Sequence, residues 1–242
     1  MRGISLLAGA LLSVAGVAIA DDELPSALAR AAPEVDAGLI ARAVDAMACA
    51  QRDAAAPARR LALIDYSRPS TEQRLWVFDL DRRALLYAER VAHGQGSGDN
   101  VPTRFSNLPG SHQSSLGLFR TADTYVGRNG YSLRLEGLEP GVNDRALERA
   151  IVMHGAPYVS DAAIGQLGRL GRSWGCPAVR SEVARELIDQ LKDGQYLYAW
   201  YPRQDPSPGP PRTDCEAAAR NVVAAAAPQG PSRTTGAAAA GN

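Results

Sequence analysis

The chain has 242 residues, enough for one domain of ordinary size or two small ones. Acidic and basic residues are both 26, so the formal net charge is zero and nothing favours nucleic acid or anionic lipid as a partner. A hydrophobic content of 45 % excludes wholesale disorder, and three cysteines are too few for a disulfide scaffold and lack the spacing of a zinc site.

Residues 1–20 read as a secretory signal. Arg2 supplies a positive start, Ile4 to Val17 is apolar and uncharged, and Ala18-Ile19-Ala20 offers small residues before the acidic pair Asp21-Asp22. The apolar run is short for a membrane span, which needs about 20 residues, and no later segment could cross a bilayer. The working domain is therefore expected to be exported, to the periplasm or cell envelope, where thiols tend to be oxidised.

Residues 34–52 look helical, with Leu39, Ile40, Ala43, Val44, Met47 and Ala50 on one face and Pro33 near the start. Cys49 lies nearly opposite that face. Residues 53–60 read as a linker. A strand texture starts at Leu61–Tyr66, and Leu75–Leu80 with Ala84–Ala88 reads as a hairpin turning at Asp81-Arg82. Further strands are expected at Gly117–Thr121, Tyr131–Leu135, Ala150–His154 and Tyr196–Tyr201. One late helix is expected over about 182–192, with Ser181 as N-cap and Gly194 just past its end. The fold class is thus mainly β, a sandwich or barrel-like core over 61–202, preceded by an N-terminal helical segment over 21–60. From Arg203 onward, 21 of the last 40 residues are Ala, Pro or Gly and none is aromatic, so 203–242 reads as a disordered tail.

Two segments carry chemistry. Ile151-Val-Met-His154-Gly155 is an apolar run ending in His-Gly. Gly168-Arg-Leu-Gly-Arg-Ser173-Trp174-Gly175-Cys176-Pro177 is a glycine-punctuated loop with a cysteine at its tip. Thiolate catalysis needs a thiol, a base to take its proton, a group to orient the base and amides facing the oxyanion. A histidine at a strand end is held rigidly, and Gly155 adds no bulk beside it. Gly175 lets the backbone turn so that amides can face a carbonyl oxygen.

His-Gly followed some twenty residues later by Ser-x-Gly-Cys resembles the L,D-transpeptidase (YkuD-like) family. The flanking blocks Ser114–Thr121, Gly130–Leu138 and Gly168–Val179 look like its secreted proteobacterial branch, named for a murein L,D-transpeptidase catalytic domain. The resemblance spans roughly residues 61–202. It implies that Cys176 is a nucleophile that attacks a peptidoglycan stem-peptide carbonyl to form a thioester. His154 would be the general base, the Gly155 carbonyl would orient it, and amides around Gly175 and Cys176 would form the oxyanion hole. An amine from a second stem would then give a cross-link. With water as acceptor the same site would be an amidase or carboxypeptidase, and with activity lost the domain would be a wall-binding module. The resemblance also implies acylation by carbapenems. No cofactor or metal is called for, because thiolate, base and amides supply the chemistry.

Trp174 stands where many relatives carry histidine, which replaces a titratable wall of the pocket with an aromatic one. Ala178 stands where relatives often have arginine, so substrate carboxylates would need Arg169, Arg172 or Arg180. Ser173 either touches the site or fixes its loop. His93 reads first as a plain loop histidine and second as a residue lining the substrate cleft, and His112 as facing solvent. Tyr125 and Tyr131 read as core, with closure over the site as the alternative. Asn143-Asp144 is expected to turn, and Arg145 to Arg149 to form a charged surface. If Cys176 is the free nucleophile, Cys49 and Cys215 remain as an even pair; a disulfide between them would tie the tail to the N-terminal helix, the alternative being that Cys215 is unpaired or links two chains.

Overall fold

A computed structural model of the chain describes residues 23–52 and 56–202. The expected signal, residues 1–20, and the expected tail, residues 203–242, lie outside the described residues. Two helices come first, α1 (Leu24–Ala31) and α2 (Ala37–Ala50). Asp36 starts α2 by accepting a 2.8 Å hydrogen bond from the Leu39 amide, so a side-chain cap and not Pro33 sets its beginning. The expected apolar face is buried, but Ala46 and Cys49 are buried with it. Cys49 is only 4 % exposed, not turned to solvent as the helical spacing suggested, and it is disulfide-bonded. Its expected partner Cys215 lies outside the described residues.

The strands follow as β1 (Arg60–Asp65), β2 (Leu75–Asp79), β3 (Ala84–Glu89), β4 (Gly117–Gly127), β5 (Gly130–Gly137) and β6 (Val152–Gly155). After them come α3 (Asp161–Leu167), β7 (Ala178–Val179), α4 (Ser181–Leu191) and β8 (Tyr196–Trp200). All eight strands form one sheet in the order β3-β2-β1-β8-β4-β5-β6-β7. The fold is mostly β and close to a closed barrel. Its ends meet: the Ala92 amide, just past β3, donates to Ala178 O of β7 at 2.8 Å. Beside that bond, Arg180 holds Glu89 through two hydrogen bonds of 2.8 Å.

The apolar runs lack alternation because both faces of the central strands are covered. Ala62, Ile64, Leu75, Val77, Leu197 and Ala199 face a core shared with Ala184, Leu187, Ile188 and Leu191 of α4. Leu61, Leu63, Trp76, Phe78, Tyr196 and Tyr198 face the other way, against Leu28, Leu39, Ile40, Val44 and Met47 of α1 and α2. The N-terminal helices are therefore one wall of the sheet's packing. No helix among the described residues is long and apolar enough to cross a membrane. Helix α4 begins one residue earlier than expected, with Arg180 in the N-cap position and Ser181 inside the helix.

Three outcomes follow from this packing. A β-carbon on Gly155 would lie 2.8 Å from Ala184 Cβ of α4, too close for two carbons. Gly155→Ala should cost roughly 1–3 kcal/mol of stability, and Gly155→Ala with Ala184→Gly should recover most of it in thermal unfolding. Glu139 is buried, accepts the Leu118 amide at 2.6 Å through Oε1 and leaves Oε2 without a partner. Burial pushes its carboxyl up to about 7, so its neutral form is the stable one in the fold. Its contribution is complete below the ordinary carboxyl range and lost as the pH rises through about 7. Unfolding temperatures across this range should fall with pH, and Glu139→Gln should flatten that slope. For the cysteines, a peptide map made without reductant should contain a peptide pair joining Cys49 to Cys215.

Candidate active site

Strand β6 lies between neighbours of different kind: Ser132 of β5 opposes His154 antiparallel, and Ala178 of β7 opposes it in parallel. Alternation along β6 sends Met153 into the core under α4 and leaves Val152 and His154 on the opposite face. His154 is 4 % exposed, and its Nδ1 donates to the Gly155 carbonyl at 2.9 Å. That bond fixes the tautomer and leaves Nε2 as the basic nitrogen. Burial holds the imidazole below its usual pKa, and the carbonyl opposes that shift.

Cys176 is a free thiol, 8 % exposed. The Val152 amide donates to its Sγ at 3.5 Å, and the thiol faces Ala150 O at 3.7 Å. Ala150 adopts a left-handed φ of 53°, which turns the chain into β6 and presents that carbonyl. Burial pushes the thiol above its ordinary pKa, while the Val152 amide and the Arg149 guanidinium pull it down.

The loop before the sulfur is tied from within and from behind. Ser173 Oγ accepts from the Gly175 amide at 3.1 Å and donates to Cys176 O at 2.6 Å, so this hydroxyl fixes the loop. The Gly175 amide is therefore occupied, and the Cys176 amide lies against its own sulfur. Gly175 has a φ of 121°, and a β-carbon there would lie 2.8 Å from Gln113 O. Behind it, Ser114 Oγ donates to Gly175 O at 3.1 Å and accepts from the Gly94 amide at 3.0 Å. A β-carbon on Gly94 would fall 2.9 Å from Gly175 Cα, so the two glycines pack backbone to backbone. Sequence reasoning missed both Gly94 and Ser114. The glycine-rich run around Gly94 and the Ser114–Thr121 block were the available signals.

Other expected site residues fall elsewhere. His93 does not line a cleft: it is 1 % exposed, with Nδ1 accepting from Arg74 at 2.8 Å. Burial and the Arg74 charge push its pKa down to about 3, so it stays neutral, and its carbonyl receives the Ser173 amide at 3.0 Å. Tyr131 packs toward α4, where its hydroxyl donates to Asp189 at 2.7 Å beneath the Arg185 guanidinium. Tyr125 lies under the guanidinium of Arg134. Arg169 and Arg172 both pair with Asp99, at 3.0 and 3.3 Å, and Arg180 pairs with Glu89. Trp174 is 61 % exposed, and His112 stacks on it at 4.7 Å instead of facing solvent alone. Arg128, from the tip of the β4–β5 hairpin, sits over the same indole. Arg149, expected on a charged surface, turns inward beside Gly175.

The arrangement offers a thiol, an imidazole with a free basic nitrogen and a loop held by main-chain contacts and by the Ser173 and Ser114 hydroxyls, the parts of a Cys/His acyl-transfer site. The model of the family described as L,D-transpeptidase catalytic domain matches residues 31–200. No curated protein matches the sequence. Among solved structures, an L,D-transpeptidase from Mycobacterium smegmatis is similar at 14 % identity and a TM-score of 0.37, over 60 % of this chain and 59 % of that one. L,D-transpeptidase 3 from Mycobacterium tuberculosis, in complex with a faropenem-derived adduct, is similar at 13 % identity and 0.36, over 59 % and 60 %. The helical cell shape determining protein Pgp2 from Campylobacter jejuni gives 13 % and 0.40, over 60 % of this chain and 48 % of that one. The chain thus spans less than two thirds of each of these proteins. With the family match running from Ala31 through both motif segments to Trp200, the chain belongs to the L,D-transpeptidase catalytic domain family.

Proposed function

We propose that this protein is an exported peptidoglycan L,D-transpeptidase in which Cys176 is the nucleophile and His154 the general base. The observation that supports this reading is a free, buried Cys176 two residues before Ala178, whose strand partner His154 has its Nδ1 fixed on Gly155 O. His154 Nε2 takes the thiol proton as Sγ attacks a stem-peptide carbonyl. The proton passes to the leaving amine, and a thioester remains on Cys176. The acceptor amine then attacks the thioester carbon, gives its proton to His154 and expels the thiolate, which leaves an amide cross-link. The same chemistry would let the strained β-lactam carbonyl of a carbapenem acylate Cys176. The exposed Trp174 indole, beside the sulfur in sequence, gives the acceptor side an apolar wall where relatives often present histidine.

Incubation of residues 21–242 with disaccharide-tetrapeptide muropeptides should give cross-linked dimers by LC-MS/MS, absent with Cys176→Ala. His154→Ala should slow turnover by about 10²-fold or more, the usual contribution of a general base. Shortened monomers without dimers would replace the transferase with a hydrolase. Identical products from wild type and Cys176→Ala would refute both and leave a binding module.

A further inference from the structure

One segment supplies nearly everything that surrounds the sulfur. Residues 149–152 contribute the Arg149 guanidinium, the Ala150 carbonyl and the Val152 amide, and His154 follows on the same strand, opposite Ala178. The first of these has no role in the family pattern and stands outside both motifs. Its guanidinium reaches into the bend of the 106–115 segment. Nη1 donates to Ser106 O at 2.6 Å and Ser115 Oγ at 2.5 Å, and Nη2 donates to Gln113 O at 2.5 Å and Ser111 Oγ at 3.2 Å.

All four acceptors are neutral. Among the described residues no carboxylate pairs with Arg149, whereas Arg169, Arg172 and Arg180 near the same loop each hold one. A β-carbon on Gly175 would sit 3.4 Å from Nη2, so the bare glycine leaves the guanidinium against the backbone that carries Cys176. A half-buried cation with only neutral partners is an electrostatic source aimed at whatever can ionise next to it.

We propose that Arg149 is the fixed counter-ion of the Cys176 thiolate. The proposal rests on Cys176 being the nucleophile and adds how its thiolate is made in a buried site. Three titratable groups act on the sulfur: Arg149, which precedes β6, Tyr66, which follows β1, and Tyr158, which follows β6. His154 lies on β6 itself, opposite Ala178, two residues past the cysteine. Burial keeps both tyrosines neutral, Tyr158 with a pKa pushed up to about 12, and it favours neutral His154 as well. A thiolate–imidazolium pair would therefore place two new charges in a site that disfavours each of them. Arginine stays charged at any working pH and is already anchored. With that charge in place, the negative charge that forms on Sγ as His154 Nε2 takes the thiol proton has an anchored partner, and the same proton passes on to the leaving amine.

The test is the pH dependence of Cys176 alkylation by iodoacetamide, read by mass spectrometry in the full mature chain, residues 21–242. Arg149→Gln should move the titration midpoint up by about one unit or more, the usual effect of an opposite charge within 4–6 Å. Arg149→Lys keeps the charge and should stay within about 0.3 unit of wild type. Ser115→Ala removes one tether without touching the charge and should leave the midpoint where it is. An unchanged midpoint in Arg149→Gln, with or without a lower maximal rate, would overturn the proposal and leave Arg149 a loop tether. If Arg149→Gln does not fold, Arg149→Lys decides: a midpoint moved by a full unit overturns the proposal, and one that holds supports it. The readout is independent of turnover. Wild type that shows the Arg149 effect but makes no dimers would refute the transpeptidase reading alone.

Discussion

A two-residue strand holds the active site together. β7 consists of Ala178 and Val179, yet Ala178 is paired on one side with His154 and on the other with Ala92. The Glu89–Arg180 ion pair lies beside the second pairing and draws the first and last strands of the sheet toward each other. Cys176 precedes this strand by two residues, so its place relative to His154 is set by main-chain hydrogen bonds. The Ser173 and Ser114 hydroxyls add to that hold, and glycines at 94, 155 and 175 keep the approach free, each lying where a β-carbon would meet a neighbour at under 3 Å. Backbone placement of this kind costs no side-chain entropy at the moment of reaction and tolerates little displacement.

Desolvation governs the chemistry. Burial raises the Cys176 thiol and lowers the His154 imidazole, so the resting pair is driven toward its neutral form. Such a pair is quiet until something in the site favours charge. Oriented groups supply that bias here: the Val152 amide directed at the sulfur and the anchored guanidinium of Arg149. Both are fixed before substrate arrives, which is how an enclosed site stabilises charge without waiting for solvent to reorganise.

The sequence was legible where its signals were periodic or local. Apolar runs marked β1, β2, β3 and β8, and the stripe of α2 was read residue by residue. His-Gly and Ser-x-Gly-Cys pointed to two segments that the fold brings together, with His154 of β6 opposite Ala178 just past Cys176. Elements too short to show a period escaped: α1 has eight residues and opens on proline, α3 has seven with none buried, and β7 has two. Buried polar residues misled for another reason. His93 and Arg149 sit in glycine-rich and charged runs that read as surface, and they are enclosed because distant segments supply their partners. For His93 the partner is the buried Arg74, itself satisfied by the Val91 and Arg68 carbonyls. Cys49 was misplaced because a helix wheel assumes one covered face, and α2 is covered over more than one.

The tethering of Cys176 also bears on how the chain is made. Its loop is held by His93 and Gly94, by Ser114, by the segment from Arg149 to His154 and by Ala178 with Val179. These pieces are separated by long stretches of chain, and the last of them follows the cysteine itself. A growing polypeptide that has not yet reached Val179 therefore contains the thiol and the segments that precede it but lacks the strand that closes the sheet beside it. The surroundings of Cys176 are a property of the finished fold, complete only when the two ends of the sheet have met.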